Sequence, residues 1–178
     1  MGVKEEICKA LPEIDLIKDK DLKEKVVATW EAGLSRGGWT PKDIARMPFT
    51  LAKSVKISFA DHVRSVTKIC LAVAETFDEI YQGELKLNRD ILLAGALLHD
   101  VGKLLEVSET AGTFKKTKEG SLVRHPFSGV ALADENGLPA DVLHIIATHS
   151  KEGDPYKRTA EAIILHYADF MNFDPLEG

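Results

Sequence analysis

The chain has little cysteine, little methionine and few aromatic residues. Of 178 residues, two are cysteine, three are methionine and 7% are aromatic. Cys8 and Cys70 have no CxxC spacing and are too few for a disulfide framework. Free thiols in a reducing compartment are the expectation. No apolar run approaches the ~20 residues of a membrane span; the longest is Ile91 to Leu98. The opening residues turn acidic at once and lack the apolar centre of a signal peptide. A cytoplasmic protein with no membrane partner is therefore expected. A basic excess is missing too: 23 Lys+Arg stand against 28 Asp+Glu, a formal charge of −5. That excludes the broad cationic surface that grips a nucleic-acid duplex. Strand signals are nearly absent.

What is present is helical periodicity. At roughly 150 residues per domain the chain is one domain, with room for an appendage. Leu22, Val26, Val27, Trp30 and Leu34 share one helical face, and Gly37-Gly38 ends it. Thr40-Pro41-Lys42-Asp43 reads as a helix start, with a short helix stopping before Pro48. Ser58 to Tyr81 carries the longest apolar stripe, with Cys70 on its core face, and Gly83 closes it. Asn88 then caps a helix that is apolar almost all round through Leu98, which marks a central buried helix. Residues 105–117 read as either a small hairpin or a loop. Helices follow at about 126–135, 139–148 and 158–170. The expectation is an all-α bundle of about seven helices. Residues 1–54 are expected to form an N-terminal helical extension or cover, with a lid or a dimer contact as alternatives, and residues 55–178 to carry the chemistry.

The chain has six histidines, and His99-Asp100 ends the buried helix. A polar pair there is costly unless something compensates it. Imidazole with carboxylate suits Zn, Fe, Mn or Ni. The order His62, His99-Asp100, His125, His149 and Asp169 resembles the HD superfamily of metal-dependent phosphohydrolases, over about residues 55 to 175. His99-Asp100-Val101-Gly102-Lys103 is similar to that family's HDxGK. His125-Pro126-Phe127-Ser128-Gly129 is similar to its HxxxG, His149 with Gly153 to its later His-x-x-x-Gly, and Ala168-Asp169 to its terminal Ala-Asp.

The resemblance implies function. Minimal members bind one metal through four ligands; the two extra histidines here resemble the six-ligand branch. His62, His99, Asp100 and Asp169 would hold one divalent ion, and His125 and His149 a second, with Asp100 bridging. Fe or Mn come first, with Ni, Co, Zn or Mg as alternatives. Two ions roughly 3.5–4 Å apart clamp a phosphoryl group and acidify a water that attacks it. They would also focus attraction locally in an acidic chain. Asp100 and Lys103 would be catalytic. Lys103 is the first phosphate contact, with Arg64, Arg124, Lys151 and Arg158 as further substrate contacts. His166 is either an orienting partner or part of the core, and His144 is structural. Lys115 to Lys118 read as a solvated loop. The Gly37-Gly38-Trp39 loop is the part of the cover expected nearest substrate.

The expected activity is hydrolysis of a nucleotide or other small phosphate ester, monoester or diester. The tail most resembles the bacterial branch that splits symmetrical dinucleoside tetraphosphates, although Asp174-Pro175 stands where that branch has a Glu-Pro-like element. Gly153-Asp154-Pro155-Tyr156 departs from the Gly-Tyr-Pro signature of the cyclic-dinucleotide branch. A mixed-valent di-iron oxygenase would use the same six ligands, and a non-catalytic signalling module would normally lose some. A homodimer is compatible with the sequence.

Overall fold

Seven residues in a row, Leu92 to Leu98, are buried, and the rest of the molecule is arranged around them. The computed structural model describes residues 2–52 and 55–177. In chain order its helices and strands are α1 (Val3–Ala10), α2 (Lys20–Gly37), α3 (Phe59–Tyr81), α4 (Arg89–Leu98), α5 (Lys103–Glu106), β1 (Val107–Thr110), β2 (Thr113–Lys116), α6 (Lys118–Leu122), α7 (His125–Glu135), α8 (Ala140–Thr148) and α9 (Ala160–Glu177). Short 3-10 turns cover Pro12–Leu16, Pro41–Ala45 and Lys151–Gly153.

The Asn88 side chain starts α4 by accepting from the Ile91 N–H at 3.2 Å. Helices α2, α3, α8 and α9 pack around it, so its Leu92–Leu98 stretch is shielded from water on every face and is apolar throughout. Ser58 caps α3 in the same way. That helix buries Phe59, Val63, Val66, Cys70 and Ala74 and ends at Gln82 and Gly83, both at positive φ.

Among the described residues, seven helices have eight residues or more. They are not quite the expected set. Helix α1 joins it. The helix expected after Thr40 is instead a 3-10 turn, closed by Asp43 accepting from the Thr40 N–H at 2.7 Å. Pro48 lies three residues after Ala45 and disfavours helical backbone just before it, so the turn does not lengthen. Helix α9 runs past Phe170 to Glu177; Pro175 lies in its final turn, where it forfeits one hydrogen bond rather than breaking a long run.

Residues 105–117 contain a hairpin. Ala111 and Gly112, both at positive φ, form the two-residue turn that the strand twist favours. Ile7, Leu11, Trp30 and Met47 share one core with Leu97, Val101 and Leu104. The division expected at residue 54 falls at Lys53–Ser54, outside the described residues. No described helix is long and apolar enough to cross a membrane.

Candidate metal centre

Four imidazoles and two carboxylates meet where α4 ends. His62 comes from the buried face of α3. His99 and Asp100 come from the turn after α4, His125 from the start of α7, His149 from the end of α8, and Asp169 from α9. His99 and His149 are fully buried and His62, Asp100 and His125 nearly so.

Asp100 stands between two groups. Its Oδ2 lies 3.3 Å from His62 Nε2 and 3.4 Å from His99 Nε2. Asp169 Oδ1 closes that side, 3.2 Å from His62 Nε2 and 3.8 Å from His99 Nε2. The Asp100 Oδ1 lies 3.2 Å from His125 Nε2 and 3.7 Å from His149 Nε2. The sets His62–His99–Asp100 and Asp100–His125–His149 could each hold a metal ion.

The donor chemistry fits a cation. His99 Nδ1 bonds the Ala96 carbonyl at 2.8 Å, and His149 Nδ1 bonds the Ile146 carbonyl at 2.7 Å. His125 Nδ1 bonds the Glu106 carboxylate at 3.0 Å. Each of these acceptors takes a proton from Nδ1, which leaves Nε2 as the ring nitrogen that a metal would use. His125 Nε2 and His149 Nε2 are 3.2 Å apart and face Asp100 Oδ1. With both rings in the metal-binding tautomer, electron pairs so close repel unless they share a cation. Metal-binding histidines are oriented by this same kind of hydrogen bond on the far ring nitrogen.

The carboxylates are held in the ionised form that a cation needs. Burial opposes ionisation of Asp100, yet Lys103 and the imidazoles hold its carboxyl well below the usual range. Asp169 is likewise held at about 2, His62 prevailing over burial. Burial pushes His125 down, toward the neutral form that binds metal. Burial also opposes protonation of His62, but its bonds to Asp100 and Asp169 win and raise its pKa.

A cavity of about 560 Å³ opens beside the cluster and is lined by Asp100, Asp169, His125 and Lys103. Arg124 and Lys151 line it too. Lys103 Nζ donates to Asp100 Oδ2 at 2.6 Å and to the Phe49 carbonyl at 2.8 Å. Two expected substrate contacts are elsewhere. Arg64 pairs with Glu13, its Nε 3.1 Å from both carboxylate oxygens, because it faces the Pro12–Leu16 turn rather than the cavity. Arg158 holds the Thr148 and Ser150 carbonyls and Asp154, so it braces the loop after α8. Trp39 donates to the Leu104 carbonyl and stacks on Phe114, and it does not line the cavity. His166 bonds the His149 carbonyl through Nδ1 at 2.7 Å.

Other residues were not singled out by sequence. Phe49 stacks on His62 with centroids 4.2 Å apart. Glu106 is buried, accepts from the His125 backbone and ring, and pairs with Lys116 at 2.8 Å. Burial opposes its ionisation, but His125 and Lys116 bring its carboxyl down to about 2. A buried acid six residues after Asp100 leaves no periodic signal.

The HD domain family model matches residues 59–171. A dihydroneopterin 2',3'-cyclic phosphate phosphodiesterase of Methanocaldococcus jannaschii is 38% identical over 111 residues, covering 61% of this chain and 43% of that protein. The 3'-5' exoribonuclease YhaM of Listeria monocytogenes serotype 4b is 32% identical over 125 residues, covering 62% of this chain and 37% of the exoribonuclease. The YhaM exoribonuclease of Bacillus velezensis is 34% identical over 125 residues, covering 64% and 37%. The chain thus spans less than half the length of these relatives. No solved structure matches it. The family match takes in most of the chain and every residue from His62 to Asp169, so this chain belongs to the HD domain family.

Proposed function

We propose that this protein is a metal-dependent phosphohydrolase that cleaves a phosphodiester in a nucleotide. One observation carries the reading: Asp100 turns one oxygen toward His62 and His99 and the other toward His125 and His149. His62, His99, Asp169 and Asp100 Oδ2 would hold one divalent ion, and His125, His149 and Asp100 Oδ1 a second, with Fe or Mn the proposed ions. Such ions polarise a phosphoryl oxygen and make a bound water acidic.

The chain's own groups do the rest. Lys103 neutralises Asp100 and supplies an ammonium at the cavity wall for a phosphoryl oxygen. Burial of the imidazoles keeps competing water away from the cluster. Glu106 fixes the His125 ring, and the Ala96 and Ile146 carbonyls fix His99 and His149. The relatives support a diester, because both kinds are by name enzymes that cleave phosphodiesters, in a cyclic phosphate and in RNA.

The test is metal analysis of the purified protein, followed by a nucleotide panel of 2',3'-cyclic phosphates, linear diesters, monoesters and dinucleoside tetraphosphates. Two metals per chain and turnover of a diester are expected. Oxygen consumption without release of a phosphate ester would replace this reading with the oxygenase. A protein that binds none of Mn, Fe, Co or Ni would replace it with the non-catalytic module.

A further inference from the structure

The cavity beside the cluster has two chemically different ends. At one end Phe49 stacks on His62, Phe173 meets Phe49 edge-on at 6.1 Å, and Phe170 lines the cavity as well. At the other end the hairpin brings Lys116 to Glu106, which holds His125, and Arg124 lies 3.6 Å from both Glu106 and Glu152. Lys151 lines this region too. Contacts run in one order, from Phe49 through His62, Asp100, His125 and Glu106 to Lys116.

One scissile phosphoryl at Asp100 already has Lys103 beside it. Lys116, Arg124 and Lys151 are three further cations against two carboxylates, Glu106 and Glu152. Arg124 is half exposed, and its contacts at 3.6 Å are too long to occupy its donors. A planar base suits the aromatic end, because every base has a face that stacks on such rings. The volume of about 560 Å³ is in the range for one small ligand rather than a strand.

We propose that the cavity binds a nucleotide carrying a second phosphate, its base on Phe170 and Phe173, which Phe49 backs from the buried side, and its extra phosphate on Lys116 and Arg124. This rests on the phosphohydrolase reading and adds a substrate class and a direction of binding to it. Lys116 is the specificity residue on β2. Lys115, one residue earlier, projects to the opposite face of the ribbon and does not line the cavity.

Calorimetric titration of the purified full chain with adenosine 3',5'-bisphosphate and with AMP tests the proposal. The bisphosphate is expected to bind about tenfold more tightly, as one charge-assisted contact allows. In the Lys116→Ala/Arg124→Ala variant that ratio falls to near one; Lys116→Arg restores it, and Lys115→Ala leaves it in place. Equal affinities in the wild type would overturn the proposal, as would a ratio that survives the double variant or falls equally in Lys115→Ala. Turnover of bis(p-nitrophenyl) phosphate, measured in parallel, reports on the phosphohydrolase reading alone. Its absence with the preference intact would sink that reading and leave the subsite standing.

Discussion

Glu106 accepts two hydrogen bonds from His125, one from the backbone N–H at 2.8 Å and one from the ring Nδ1–H at 3.0 Å. The pair fixes both where α7 begins and which ring nitrogen faces Asp100. Glu106→Gln keeps the shape but removes the charge that favours this tautomer. Metal affinity at His125 and His149 should fall about 10- to 100-fold. The His62 side should keep its metal. Metal titration with the two sites resolved is the check; an equal loss at both would show a general disruption instead.

Asp100 separates the two groups by its two oxygens, so Asp100→Ala should abolish metal binding at both, and turnover with it. Asp169→Asn should affect only the His62 side, because Asp169 contacts His62 and His99 but neither His125 nor His149. Metal content per chain distinguishes the two variants, and equal loss in both would break the assignment.

Metal removal should lower thermal stability, since the clusters exist only in the folded chain. At free metal a hundredfold above Kd, one site contributes about 2.7 kcal/mol. At about 2–4 °C per kcal/mol for a chain of this size, chelation should lower Tm by about 5–10 °C. Scanning calorimetry with and without chelator measures it. No shift would mean that the clusters hold no metal.

Acid should weaken the metal-free protein through Glu106. Its folded pKa of about 2 lies below the ordinary glutamate value of 4.5. A depressed carboxyl stabilises the fold above its unfolded pKa and loses that contribution as pH falls from 4.5 toward 2. Urea unfolding at pH 7, 4.5 and 3 should show the decline, and Glu106→Gln should flatten it. A variant with the same slope would assign the effect to other acids.

Gly102 allows the turn after Asp100 to touch α7. A Cβ there would collide with the His125 carbonyl oxygen and lie 2.7 Å from the Gly129 nitrogen. These are backbone atoms and cannot swing aside, so Gly102→Ala should cost about 1–3 kcal/mol and displace His125 from Asp100. Stability and metal content, measured together, should both fall. Gly153 meets the Thr148 backbone just as closely, so Gly153→Ala should disturb His149 in the same way.

The sequence by itself determined the helical class and the buried central helix, and its resemblance to the HD superfamily singled out the six residues, Asp100 among them, that the fold brings together. Periodicity marks which face of α3 or α4 is inward, and His62 and His99 are carried inward with it. The motif glycines were legible as motif members, but the backbone collisions that require them were not. Only the tertiary structure decided which charged groups share the cavity. Arg64 and Arg124 look alike in sequence, each next to or near a histidine, yet Arg64 is drawn to Glu13 and Arg124 lines the cavity. Glu106, Phe49 and Lys116 owe their roles to contacts between segments distant in the chain. Lys116 in particular depends on a hairpin whose register sets it opposite Val107, beside Glu106. A local pattern reports burial, because burial repeats with the helix; it does not report the partner across the gap, because that depends on how the elements pack.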